Sequence, residues 1–133
     1  MTLIPLTIDR KLWLRGEGSC FSKLLRGFDG KMCCLGFASL ALGEIRENIL
    51  GLGEPFALRS WENKDSAQIK AAMVVNDVYI AGYNRSAAVI ISDIEPSCIS
   101  EDRGTIKIDS EEQRERILTK ILAKLGFSVT FVN

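Results

Sequence analysis

Between Met32 and Leu42 the chain carries no charge, and Ser39 is the single hydroxyl among otherwise apolar residues. A segment that is apolar on every side must be buried on every side. Its length and its small residues favour a helix over a strand. A buried helix over 32–42 is therefore the element around which the rest has to pack. Gly43 suits the left-handed position that ends such a helix.

The C-terminal third supplies what can cover it. Ser110-Glu111-Glu112-Gln113 reads as a capping box. Ile117, Leu118, Ile121, Leu122 and Leu125 then form one apolar stripe, predicting an amphipathic helix over 111–125 closed by Gly126. Phe127, Val129 and Phe131 alternate with Ser128, Thr130 and Val132, the pattern of a half-buried strand. Leu3 to Ile8 alternates too, with Pro5 marking an edge strand or a strand start. The two terminal strands are expected side by side.

Between these ends the signals are shorter. Asp9 to Arg15 reads as a short helical turn. Residues 15–30 form a glycine-rich loop or loose hairpin, with Ser22 to Arg26 as an ordered piece. Glu44 to Leu50 suits one amphipathic turn of helix. Residues 51–65 look irregular, with Trp61 as a core anchor. Asp65 to Gln68 resembles an N-cap, followed by a helix with Ile69, Ala72, Met73 and Asn76 on one face and a stop at Asn76-Asp77. Val78 to Ala81 and Ala87 to Ile91 are β-rich runs joined by a hairpin loop over 82–86, and Thr105 to Ile108 is a further strand. The sum is an α+β single domain spanning 1–133. A small antiparallel or mixed sheet, with the N- and C-terminal strands in it, packs against the buried helix and the C-terminal helix. No repeat or interdomain linker is evident.

Histidine is absent, which removes the commonest general base and zinc ligand. A Ser-His-Asp or Cys-His unit cannot form within one chain. Seventeen Lys+Arg balance seventeen Asp+Glu, whereas a chain that tracks nucleic-acid backbone carries excess positive charge. Nucleic acid is not expected as a partner. No apolar run approaches the roughly 20 residues that cross a bilayer, and Met1 to Arg10 does not read as a secretory leader. A cytoplasmic protein without a membrane partner is expected, with Cys20, Cys33, Cys34 and Cys98 reduced.

Candidate site residues concentrate between Arg10 and Lys31. Arginine offers bidentate donors for phosphate or carboxylate, and glycines let backbone N–H groups converge on an oxyanion. Arg15, Gly16, Gly18, Ser19, Ser22, Lys23, Arg26 and Lys31 are the expected ligands of an anion. Tyr83, beside Arg85 on the 82–86 loop, could add a base-and-phosphate contact. The plainer reading is a solvated loop whose glycines satisfy turn geometry. Neither the Walker A nor the dinucleotide glycine spacing is present. Cys33-Cys34 opens the buried helix, where a thiol can be activated, but apolar surroundings favour inert packing. Glu111-Glu112 and Glu101-Asp102 lack the apolar setting that splits two carboxyl pKa values, so neither pair is assigned catalysis.

The string Asp9-Arg10, Trp13-Leu14-Arg15-Gly16-Glu17-Gly18-Ser19, Leu24-Leu25-Arg26 and Gly30-Lys31-Met32-Cys33-Cys34-Leu35-Gly36-Phe37 resembles small proteins encoded by bacteriophages and prophages. The resemblance covers about half the chain; Glu44 to Asp109 lies outside it. It implies a phage accessory protein acting in the bacterial host cytoplasm, and proteins of that class often antagonise host defence. The leading expectation is a non-enzymatic binder that sequesters a nucleotide-like anionic small molecule, with no cofactor and with a homo-oligomeric assembly. The alternatives are a protein-interaction module that inhibits a host protein, and a cysteine-dependent enzyme.

Overall fold

The computed structural model describes residues 2–16, 22–82, 85–100 and 105–133. Along the chain run β1 (Ile4–Asp9), α1 (Cys34–Ala41), α2 (Arg46–Ile49), α3 (Ser66–Asp77), β2 (Ile80–Gly82), α4 (Arg85–Ile94), β3 (Thr105–Lys107), α5 (Glu111–Lys124) and β4 (Phe127–Val132). Single 3-10 turns lie at Arg59–Trp61 and Pro96–Cys98.

The terminal strands pair as their alternation predicts. β1 and β4 run parallel, in register from Ile4 opposite Phe127 to Asp9 opposite Val132. Leu6, Ile8 and Phe127 point into the core. α1 packs against β1, and α5 packs against β4. Every α1 residue from Cys34 to Ser39 is buried, as the absence of charge requires. Ser39 satisfies its hydroxyl inside the core. It donates to the Leu35 carbonyl at 2.7 Å and accepts from the Trp61 indole N–H at 2.9 Å.

The helix boundaries follow the caps. Asp65 accepts from the backbone N–H groups of Ala67 and Gln68 and starts α3. Ser110 accepts from Gln113 N–H and starts α5. Gln113 in turn accepts from Asp109 N–H at 2.6 Å, one residue earlier than a standard capping box. Gly43 and Gly126 both hold positive φ, at 97° and 105°, where each helix ends.

Three expectations are corrected. Ala87–Ile91 is not a strand but lies within α4, a helix that packs on α3. A strand would put residues 87, 89 and 91 on one face. Instead Ala87, Ala88 and Ile91 are buried while Val89 is exposed, which is helical spacing. Second, β2 finds its antiparallel partner in β3, with Ala81 opposite Ile106. Two separate two-stranded sheets result, in place of one. Third, Arg10–Leu12 makes one turn closed by Leu12 N–H to the Asp9 carbonyl at 2.9 Å. Trp13 then bridges Met32 in extended form, so no helix forms there and α1 begins after Met32.

Candidate functional site

One buried amide ties the surroundings of the site together. Asn76, on the last turn of α3, is 1% exposed. Its Oδ1 accepts from the Trp13 indole N–H at 2.8 Å and from the Cys34 backbone N–H at 3.0 Å. The second of these satisfies one of the donors that open α1. Its Nδ2 donates to the Leu14 carbonyl at 3.0 Å and to Asp77 Oδ1 at 2.8 Å. Ser22 donates its hydroxyl to the same Asp77 oxygen.

Asp77 and Ser22 line a cleft of about 490 Å3. One wall is α3, which contributes Lys70, Met73, Val74 and Asp77. These recur at i, i+3, i+4 and i+7, so they form a single stripe. Val78, Ala81 and Gly82 continue that wall, and Gly53 and Glu54 face it from the irregular segment. The cleft thus combines an apolar slot with a carboxylate–hydroxyl pair, a second carboxylate on Glu54 and one lysine. Its volume falls in the range of small-molecule sites. Ser22 directly follows the segment 17–21, and Gly82 directly precedes Tyr83 and Asn84.

The predicted arginines do not converge on it. The Arg15 Nε donates to Glu111 at 2.7 Å, and the guanidinium lies 4.3 Å from the Trp13 ring centroid. Its Nη1 donates to the carbonyls of Arg10 and Trp13. Arg26 pairs with Asp29 at 2.6 Å and stacks on Phe28. Lys31 shares that turn, its backbone N–H donating to Asp29 at 3.1 Å. Lys23 contributes its carbonyl, which accepts from Cys33 N–H at 3.0 Å. Gly16 has φ of 69° and an N–H bonded to the Asn76 carbonyl; a Cβ there would stand 2.8 Å from the Tyr79 ring. Close packing accounts for that glycine. Arg85 opens α4 and is exposed. Gly18, Ser19, Tyr83, Glu101 and Asp102 lie outside the described residues. Of the expected ligands that are described, Ser22 alone lines the cleft.

Behind the cleft sits a second polar node. Arg114 of α5 is fully buried. Its Nη1 donates to the carbonyls of Val75, Asn76 and Val78, covering the C-terminal end of α3, where a cation is favoured. Its Nε donates to Glu111 at 3.1 Å, and Tyr79 donates its hydroxyl to the same carboxylate at 2.7 Å. Burial alone would raise the Glu111 carboxyl; the hydrogen bonds from Tyr79 and Arg15 and the charge of Arg114 outweigh it and hold it below the ordinary range. The Arg26 hydrogen bond holds Asp29 down at about 2, and the Arg116 hydrogen bond lowers Glu95.

These depressed carboxyls set a pH dependence. Each folded-state value lies below the unfolded one, so the stabilisation is complete above the ordinary carboxylate range of about 4. It is lost as pH falls through the folded values, down to about 2 for Asp29. Thermal midpoints are expected to be flat from pH 7 to roughly 5 and to fall below that. Glu111→Gln should flatten part of the acid limb, and a midpoint that rises on acidification would contradict this assignment.

The thiols are placed for packing. Burial pushes Cys33 up to about 12 and Cys34 well above its ordinary value, with the Asp77 charge adding to both. Neither supports a thiolate near neutral pH. Cys20 lies outside the described residues. Among the described residues no group of three or more Cys, Asp or Glu side chains could hold a metal ion. No described helix is long and apolar enough to cross a membrane.

Sequence reasoning missed Glu54, Lys70, Met73, Val74 and Asp77 as cleft residues. The available signal was a second stripe on α3; the expected face of Ile69, Ala72, Met73 and Asn76 included Met73, which lines the cleft instead of closing the core. No protein-family model matches this chain, nor does any curated protein sequence. No solved structure matches it either.

Proposed function

We propose that the protein is a non-enzymatic binder that holds a small nucleotide-like molecule in the α3 cleft. The observation that carries this reading is the combination of an apolar slot with the Asp77–Ser22 pair and Lys70 in one cavity of about 490 Å3. Met73, Val74 and Val78 offer a surface to a planar ring. Asp77 accepts from hydroxyl or amino donors, as a ribose or a base presents. Lys70 supplies the cation for the anionic end. In the setting implied by the resemblance to phage-borne proteins, its role is sequestration in the host cytoplasm, withholding a signalling nucleotide from a defence system. The raised thiol pKa values weigh against the cysteine-enzyme alternative.

Calorimetry with a panel of linear and cyclic nucleotides tests the reading. At least one is expected to bind with a dissociation constant near or below about 1 μM. Lys70→Ala should weaken it about 10-fold, the loss of one charge-assisted contact. Met73→Trp, which fills the slot, should abolish it. A panel silent throughout removes the proposal.

A further inference from the structure

A second surface carries an inference independent of the cleft. The turn 26–31 is closed by Arg26 N–H to the Lys31 carbonyl at 2.8 Å and Gly30 N–H to the Arg26 carbonyl at 2.9 Å. Gly30, at φ 73°, makes this tight reversal possible. At its tip Phe28 is 83% exposed, the most of any large hydrophobic side chain described. Arg26 braces one face of the ring, with its guanidinium 4.6 Å from the centroid. Beside this knob lies a depression of about 210 Å3 floored by Leu25 and Leu50 and edged by Arg46 and Glu47. Leu50 is 54% exposed, and Ile45, next to Arg46, is 58% exposed.

We propose that two copies of this chain associate about a twofold axis through this surface, each placing Phe28 in the depression of the other. Three features single out a second copy as the occupant. The knob and a hole able to admit a phenyl ring sit side by side, and an axis passing between them brings both into register at once, as an isologous contact requires. The charges are mixed: Arg26 and Asp29 pair within the turn, and Lys31 and Arg46 stand against Glu47. A surface of that balance does not select an acidic partner or an anionic membrane, but it complements itself. Finally, the side chains of Arg46 and Glu47 have no charged partner among the described residues. They edge the depression into which the partner's Phe28 would descend, so Arg46 gains an aromatic face. An arginine-flanked aromatic anchor is the usual composition of an interface hot spot.

Sedimentation equilibrium from micromolar to millimolar protein tests this, with circular dichroism confirming that each variant is folded. The wild type is expected to dimerise. Phe28→Ser, which removes the knob, and Leu50→Arg, which charges the hole, should each weaken dimerisation about 30-fold or more. Both side chains are exposed, so folding is not at stake. The decisive sample is the equimolar mixture: a knob-less chain keeps its hole and a hole-less chain keeps its knob, so the mixture regains one of the two contacts and dimerises more tightly than either variant alone. A wild type that stays monomeric at millimolar concentration overturns the proposal, as does a dimer indifferent to both substitutions. A partner protein that needs Phe28 of a monomeric chain also overturns it. None of these results depends on whether a nucleotide binds the α3 cleft.

Discussion

Gly36→Ala is expected to cost at least about 3 kcal/mol and to lower the thermal midpoint by about 10 °C or more. Gly36 lies in the first turn of α1, where the helix crosses the segment that carries Leu24. A Cβ at this position would stand 1.8 Å from the Leu24 carbonyl oxygen, 2.7 Å from its carbon and 2.9 Å from Met32 Cβ. The obstruction is backbone, so no rotamer change relieves it. That backbone is fixed on both sides: Leu24 N–H donates to the Leu52 carbonyl at 2.8 Å, and the Lys23 carbonyl accepts from Cys33 N–H at 3.0 Å. The helix must therefore lift away from its neighbour and open gaps through the core. Gly53→Ala is the control. Nothing lies within 4 Å of its Cβ and its φ is not positive, so a change within about 0.5 kcal/mol is expected. Urea unfolding of both variants, followed by circular dichroism, makes the comparison. Equal midpoints would show that α1 does not pack as described.

Asn76→Leu should be of similar size, about 3–5 kcal/mol, through a different cause. The branched shape and heavy-atom count are kept, but the Trp13 indole N–H, the Cys34 N–H and the Leu14 carbonyl lose their partner inside the core. Each buried polar group left unpaired costs about 1–3 kcal/mol. The substitution also removes one of the hydrogen bonds that orient the Asp77 carboxylate at the cleft, so residual folded protein should bind nucleotide more weakly than its stability alone dictates. Denaturant titration followed by Trp13 and Trp61 fluorescence reads the first effect, and calorimetry at low temperature reads the second. A loss below about 1 kcal/mol would mean that the amide is not the link between these segments.

Several elements were legible because their signals are local. The capping residues Asp65 and Ser110, the stripe from Ile117 to Leu122 and the alternation after Phe127 all act within a few residues, and each forms as expected. The charge-free run after Met32 announced its own burial. The run from Ala87 to Ile91 was ambiguous, because short apolar stretches fit either period until packing against α3 decides. The site was harder to read for a related reason. Arg15 is a free cation in sequence, yet its partner Glu111 is 96 residues away. Asn76 looked like a helix stop, and its role depends on Trp13, Leu14 and Cys34, none of them near it in the chain. Lys70, Met73, Val74 and Asp77 carry an ordinary helical spacing. Only the fold shows that this stripe faces a cavity and not open solvent.

The most direct test of the central claim is a map of amide chemical shifts on the isotopically labelled protein, titrated with the tightest nucleotide of the panel. Saturable changes are expected, centred on Ser22, Lys70, Val74, Asp77 and Ala81, with the turn at Phe28 unaffected. Changes that cluster instead around Arg15 and Glu111, or around Arg26 and Arg46, with the α3 residues silent, would contradict it.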